Sequence, residues 1–211
     1  MTIVSTSTIL ILILVFFFYK SIRKFNYYIY AACAILSIIS FTQETTIINM
    51  GYASLSFFLV VMFTGVLEKS EMKKRLMGVR AELAIMGTIF AVTHGLKFIV
   101  YAIDYDFLWA APLYFYLGVA AVFISLPLFI TSFMFIRKKI KGKVWKNLHK
   151  LSYLFYVLVG LHLAFISNQR IFFYIGIFSV YVFMRSWTYL EKKLKPKTTI
   201  QKPLQTKTAS Q

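Results

Sequence analysis

The three histidines are the residues whose type and spacing could support chemistry in this chain. His94, His149 and His162 all lie within, or at the edge of, long apolar stretches. Ionisable side chains are costly at membrane depth and usually have a function there. Because a neutral imidazole binds transition metals through a ring nitrogen, the histidines predict a metal or haem site. The opposing interpretation is that each one is an ordinary polar contact between helices.

The stretches that carry these histidines predict the fold. Hydrophobic residues make up 59% of the 211 positions and charged residues only 15%, whereas about a quarter of a soluble domain is charged. A helix of roughly 20 apolar residues crosses a bilayer. We therefore predict an all-α fold, a polytopic membrane helical bundle with seven transmembrane helices. Six is the alternative, if the first segment lies outside the bundle. The segments are 3–19, 25–41, 51–67, 81–103, 113–136, 151–166 and 171–189.

The distribution of Lys and Arg predicts the orientation. Of the 24 basic residues, 22 lie at 20–24, 68–80, 137–150 and 185–211, while Glu44, Asp104 and Asp106 lie in the remaining breaks. By the positive-inside rule the basic side is cytoplasmic, which places the N-terminus outside and the C-terminus inside. The formal charge of +17 then reflects topology and attraction to membrane lipid headgroups. We predict no nucleic-acid partner.

This topology places two of the histidines at one depth. The segment 81–103 runs outward, and His94 lies about 20 Å along it at 1.5 Å per residue. The segment that starts near His149 runs the same way, and His162 is again about 20 Å higher. Haem b takes axial ligands from the protein, and imidazole is a common one. We predict that His94 and His162 are the axial ligands of one haem b near the outer side.

His149 is too far from His162 to bind the same iron, so it predicts a second site near the cytoplasmic side. Arg80 precedes His94 by 14 positions, within about 40° of the same helix face, and falls near the depth of His149. A guanidinium is a poor iron ligand but pairs with a propionate or a flavin phosphate. The cytoplasmic-side site is therefore predicted to hold a second haem with His149 as a ligand, or FMN or a quinone.

Small and basic residues near the outer pair are predicted to complete the haem site. Gly87 precedes His94 by seven positions and Gly160 precedes His162 by two, so both would let a flat macrocycle approach the backbone. Glycine is also common wherever membrane helices pack together. Lys97, one turn above His94, would meet the propionates or extend to the lipid headgroups.

The residues around His149 resemble a known family. Trp145, Leu148, His149 and Tyr153 form a W-x-x-L-H-x-x-x-Y pattern. Its companions are His162 thirteen positions later, Arg75-Leu76-Met77-Gly78 before the segment that bears His94, and Thr131-Ser132 at the end of the preceding span. Over about 74–190 the chain resembles the ferric reductase-like transmembrane domain family. Within that family it is most similar to MsrQ (YedZ), the haem-binding subunits of periplasmic methionine sulfoxide reductase systems.

The resemblance implies a membrane electron-transfer subunit of an oxidoreductase in the bacterial plasma membrane. Trp145 would contribute to cofactor binding. Electrons would pass from a quinol, a flavoprotein or a reductase to an extracytoplasmic redox partner, for example a methionine sulfoxide reductase, ferric iron or a flavoprotein. No GxGxxG motif follows a strand, so nicotinamide binding is not predicted. We divide the chain into N-terminal transmembrane segments (1–70), a haem-binding core (71–191) and a disordered basic cytoplasmic tail (192–211).

A non-redox membrane protein, such as a transporter or an assembly factor with incidental histidines, is the alternative. A transporter often contains acidic groups along an intramembrane path. We expect no such path, because Glu82 falls at a helix start and the remaining acids lie in breaks. Cys33 is the single cysteine, so no internal disulfide can form.

Overall fold

The computed structural model describes residues 2–43, 45–166 and 170–194, which fold into helices and connecting turns without a strand. The predicted all-α class is confirmed, and each of the seven apolar stretches contains a helix. The helices are α1 (Thr2–Lys24), α2 (Asn26–Thr42), α3 (Thr46–Asn49), α4 (Tyr52–Thr64), α5 (Glu71–Gly78), α6 (Arg80–Asp104), α7 (Leu113–Ser132), α8 (Met134–Arg137), α9 (Gly142–Leu148), α10 (Leu151–Ile166) and α11 (Ile171–Leu194).

In the described part of the chain, five helical elements are long and apolar enough to cross a membrane: α1, α6, α7, the pair α9–α10, and α11. Helices α2 and α4 are apolar but shorter, with 17 and 13 residues. The chain is therefore a polytopic helical membrane protein. That α2 and α4 complete a set of seven spans remains a prediction.

Two predicted segments are interrupted, and the backbone shows why. The segment 113–136 breaks at Phe133, which is extended between α7 and α8. The hydroxyls of Thr131 and Ser132 donate to carbonyls one turn earlier, on Pro127 and Leu128, and side-chain bonds of this kind weaken and bend a helix. Only part of the segment 51–67 is helical, as α4. The residue before this helix, Gly51, has a left-handed backbone conformation with φ +71°.

The C-terminal boundary also differs from the expectation. Helix α11 continues to Leu194, so the first three residues of the tail predicted as disordered are helical. The rest of that tail, 195–211, lies outside the described residues, as does Glu44.

Helix α4 lies at the centre of the bundle. Nine of its thirteen residues are buried, and it packs against α1 and most extensively against α6. The other extensive helix pair is α7 with α10. The N-terminal helices are thus part of the same bundle as the helices that carry the histidines.

The basic breaks meet at one end of this bundle. Arg23, Arg80, Arg137 and Lys146, which come from three different breaks, all line one cavity. The shared basic end agrees with the charge pattern along the chain. Its assignment to the cytoplasm remains a prediction.

Candidate functional site

The structure brings His94 of α6 and His162 of α10 together. Their ring centroids are 6.4 Å apart and the ring planes are inclined by 78°. The match in depth expected from the helical rise therefore corresponds to a real approach of the two side chains.

Each ring is held by a backbone carbonyl through Nδ1. His94 Nδ1 lies 2.6 Å from the Asn49 oxygen, and His162 Nδ1 lies 2.7 Å from the Tyr114 oxygen. A carbonyl only accepts hydrogen bonds, so Nδ1 must carry the proton in both rings. Nε2 is then the nitrogen with the lone pair, which is the form that binds a metal.

Two glycines leave room for these rings, and neither was predicted from the sequence. A Cβ on Gly51 would lie 3.3 Å from Nε2 of His94, and a Cβ on Gly118 would lie 2.9 Å from Nδ1 of His162. Gly118 belongs to α7, which packs on α10, and Gly51 immediately precedes α4, which packs on α6. The helix break at Gly51 was a signal in the sequence, whereas nothing marked Gly118.

The predicted glycines have other neighbours. A Cβ on Gly87 would meet Phe57 and Phe58, and one on Gly160 would meet Phe178. They permit close helix packing and do not face the imidazoles. Their periodicity placed them on a helix face but could not say which neighbour occupies that face.

An apolar cavity of about 120 Å³ lies between the two histidines. Its walls include Leu55, Phe58, Phe98, Val122, Phe155 and Leu163. The Phe98 ring contacts His94 at a centroid distance of 5.0 Å. The two imidazoles therefore border a cavity with mostly apolar walls, which also include the polar side chains of Ser54 and Tyr114.

Lys97 is directed at the end of α2 and at α3. Its Nζ lies 3.4 Å from the Ser40 carbonyl. In the amide orientation that satisfies its neighbours, the Asn49 side chain accepts from Lys97 at 2.8 Å and donates to the Ser40 hydroxyl at 2.6 Å. These polar contacts surround the residue whose carbonyl holds His94, so they account for the Lys97 ammonium without a propionate.

His149 lies at the basic end, apart from the other two histidines. Its Nε2 is 3.1 Å from the Thr131 hydroxyl, and the Trp145 ring stacks on it with centroids 4.0 Å apart. Trp145 Nε1 donates to the Thr131 carbonyl at 3.1 Å, and Arg137 lies over the Trp145 ring. Trp145 therefore fastens α9 and His149 to the end of α7.

A second cavity of about 420 Å³ opens beside His149. Arg80 lines it, lies next to Tyr156, and together with Arg137 is close enough to act electrostatically on His149. Arg80 and His149 are thus brought to one site, as their depths predicted.

Glu82 also lines this second cavity and is only 6% exposed. Glu82 lies in the first turn of α6, at a helix start as the sequence indicated, but it is buried there. The first turn of α6 is covered by the bundle, and Glu82 is buried with Arg23 and Arg137 as its charged neighbours. Sequence position alone could not show that this helix begins inside the protein.

Residues 2–43, 45–166 and 170–194 contain no group of three or more His, Cys, Asp or Glu side chains that could hold a metal ion. A haem held by two imidazoles needs no such group.

Comparison with known proteins identifies the family. The model of the ferric reductase like transmembrane component family matches residues 45–160, more than half of the chain. The chain belongs to this family. The matched region contains His94, His149, Arg80 and Glu82, and it ends two residues before His162.

A curated relative adds similarity without a function. An uncharacterized protein of Treponema pallidum (strain Nichols) is 34% identical over 123 residues, which is 54% of this chain. The chain spans about a third of the length of that relative, since the alignment covers 33% of it. No solved structure matches the chain.

The family match begins at residue 45, inside the region 1–70 that was set apart as N-terminal segments. It therefore includes α3 and α4, the elements that present the Asn49 carbonyl and Gly51 to His94. Membership in this family supports a membrane electron-transfer activity for the bundle.

Proposed function

We propose that this member of the ferric reductase-like family binds haem b between His94 and His162 and carries electrons across the membrane. The donor would lie on the basic side of the bundle and the acceptor on the opposite side. The observation that supports this most strongly is the pair of imidazoles. They approach across an apolar cavity, and each is held by a carbonyl at Nδ1.

The residues fit a haem iron. His94 and His162 could both bind one haem iron, because their ring centroids are only 6.4 Å apart and a metal–nitrogen bond is about 2 Å long. Hydrogen bonds from Nδ1 to carbonyls fix the tautomer and raise the basicity of Nε2. The cavity is smaller than the macrocycle, so binding would require lining side chains such as Phe98 to move outward.

When bound, haem supplies a metal centre that accepts and donates single electrons. The protein would orient both ligands through Asn49 and Tyr114. Its apolar walls would exclude water, which lowers the local dielectric and tunes the reduction potential. The Lys97 contacts would keep the Asn49 carbonyl in place.

The contacts of His149 at the basic end favour one bound haem per chain over two. The Thr131 hydroxyl proton is engaged by the Pro127 carbonyl at 2.7 Å, so Thr131 accepts the hydrogen bond from His149 Nε2. His149 therefore uses Nε2 as a donor, and Arg80 cannot replace an imidazole as an iron ligand. We assign the basic cavity to the electron donor, a quinol, a flavin such as FMN or a reductase, with a weaker second haem as the remaining alternative.

The acceptor follows from the resemblance of the His149 segment. We propose an extracytoplasmic redox protein, with a methionine sulfoxide reductase of the MsrQ type as the first candidate, and ferric iron or a flavoprotein as the others. The chain would then be the membrane subunit of an oxidoreductase.

Haem content tests the proposal. His94→Ala and His162→Ala should each abolish the same low-spin b-type spectrum, because either change leaves the iron with one protein ligand. His149→Ala is the matched control and should keep the outer haem. Pyridine haemochrome analysis and reduced-minus-oxidised spectra of the purified variants are the measurements. Wild-type haem content in both of the first two variants would exclude the assignment.

A further inference from the structure

The cavity at the basic end contains a buried carboxylate that the proposed haem site does not use. Glu82 is 6% exposed and lines the 420 Å³ cavity. In the described part of the chain Glu82 forms no ion pair within 4 Å, whereas Glu71 pairs with Lys74 and Arg75. The Glu82 carboxylate lies close to its own backbone amide. Arg23 and Arg137 are close enough to act on Glu82 electrostatically, but neither forms a direct ion pair with it. A buried carboxylate without a direct partner is costly, so this geometry points to a ligand or a proton.

The walls of the cavity that Glu82 lines also offer hydrogen-bond acceptors. The hydroxyls of Thr88, Ser125 and Ser132 line the same cavity and each donates to a carbonyl of its own helix. Their protons are therefore committed, and only oxygen lone pairs remain for a ligand. A molecule that contacts these three hydroxyls can therefore donate hydrogen bonds to them.

Aromatic and cationic side chains complete the site. Phe58, Phe155 and Tyr156 form an apolar wall, while Arg80 and Arg137 lie on the cavity lining. A flat ring would pack on the aromatic wall. An oxygen anion formed on that ring would be stabilised by the two guanidinium groups.

We infer that this cavity binds a hydroquinone and that Glu82 accepts its hydroxyl protons. This inference rests on the proposed function for its electron acceptor. The O–H bond breaks, the proton passes to the Glu82 carboxylate, and the anion loses one electron to the one-electron acceptor that the proposed function identifies as haem. Release of the proton to the basic side and one repetition convert the hydroquinone to the quinone, with two protons and two electrons transferred.

Phe58 and Phe155 make the path of the electron between the two cavities short. Both side chains line both cavities, and their ring centroids are 4.7 Å apart. A ring in the basic cavity is therefore separated from the histidine cavity by a single layer of side chains.

The test compares Glu82→Gln with Glu71→Gln, an exposed carboxylate paired with Arg75. Menadiol, a soluble naphthohydroquinone, is mixed with the purified protein and haem reduction is followed by stopped flow. Because general-base catalysis contributes about 100-fold or more, Glu82→Gln should slow reduction by about 100-fold and Glu71→Gln should not. Dithionite, which needs no proton acceptor, should reduce all variants equally. Reduction of Glu82→Gln by menadiol at the wild-type rate would overturn the inference. The inference would also be overturned if reduced FMN, and not menadiol, reduced the haem in a way that depends on Glu82.

Binding provides a readout that does not depend on haem. The fluorescent quinol analogue 2-heptyl-4-hydroxyquinoline N-oxide should bind wild type and Glu82→Gln with similar affinity, because the amide oxygen still accepts a hydrogen bond. Thr88→Val removes one acceptor and should weaken binding about fivefold, the effect of a single hydrogen bond. If wild type lacks haem but binds the analogue in this Thr88-dependent way, the proposed function fails and the site stands. Absence of binding to wild type would overturn the site itself. If Glu82→Gln does not fold, the Thr88→Val comparison decides.

Discussion

At the scale of single residues, the haem proposal depends on how the two rings are held. His94 and His162 could be paired from the sequence because the rise of a helix is constant, so equal distances from the basic side give equal depth. The carbonyl partners on Asn49 and Tyr114 could not be predicted, since they come from other segments and carry no side-chain signature. The same applies to Gly118, which makes room for His162 from across the α7–α10 contact.

Gly118→Ala tests the geometry around His162. The new Cβ would lie 2.9 Å from two atoms of the His162 ring, so the ring must move from its position. Alanine is otherwise favoured over glycine in a helix by about 1 kcal/mol, so a general loss of fold is not expected. We predict roughly tenfold weaker haem retention, comparable to the loss of a group that orients a metal ligand.

Gly176→Ala is the matched control, because a Cβ there has no neighbour within 4 Å in the described part of the chain. Haem titration of the two purified variants, followed by absorbance, makes the comparison. Equal haem affinity in both would show that the Gly118 contact does not constrain the ligand.

At the scale of the elements, the break between α3 and α4 positions His94. Asn49 ends α3, and Gly51 turns the chain into α4 with a positive φ. The sequence predicted one continuous apolar segment beginning at 51, which correctly located α4. It could not show that the turn before α4 folds back onto α6, since that contact joins residues 45 positions apart.

Gly51→Ala is expected to disturb this element in two ways. A side chain at a positive φ costs about 1–2 kcal/mol, and its Cβ would lie 3.3 Å from the His94 ring. We predict a lower thermal midpoint together with an altered haem spectrum. Gly65→Ala, at the other end of α4 with φ −69° and only an ordinary contact at 3.5 Å, is the control. Thermal melts and reduced spectra of both variants make the measurement, and a wild-type spectrum in Gly51→Ala would contradict the role of this turn.

The start of α6 shows the limit of arguments from element boundaries. The sequence placed Glu82 at a helix start, and a helix N-terminus is often exposed. In the structure, Arg23 from the end of α1 and Arg137 from α8 lie beside the first turn of α6. Burial of Glu82 is therefore a product of three separate elements, and no local pattern encodes it.

At the scale of the whole molecule, the two cavities are arranged along the bundle in order from its basic end. The cavity with Glu82 and His149 opens among the basic breaks, and the cavity with His94 and His162 lies further along the bundle. If the basic end is cytoplasmic, electrons enter from the cytoplasmic side and leave at the outer side. The orientation thus connects the charge pattern of the sequence to the direction of electron flow.

Cysteine labelling tests this orientation, because the chain has one native cysteine and it is buried in α2. In a Cys33→Ser background, Asn147→Cys places a thiol in the basic break and Asp104→Cys places one at the opposite end of α6. Both positions are exposed, so each thiol is open to the medium on its own side. The positive-inside rule predicts that a membrane-impermeant maleimide added to intact cells labels Asp104→Cys only. Asn147→Cys should react only after the membrane is permeabilised, which also shows that its thiol is intact. Labelling of Asn147→Cys in intact cells, with Asp104→Cys protected, would reverse the orientation and with it the proposed direction of electron transfer.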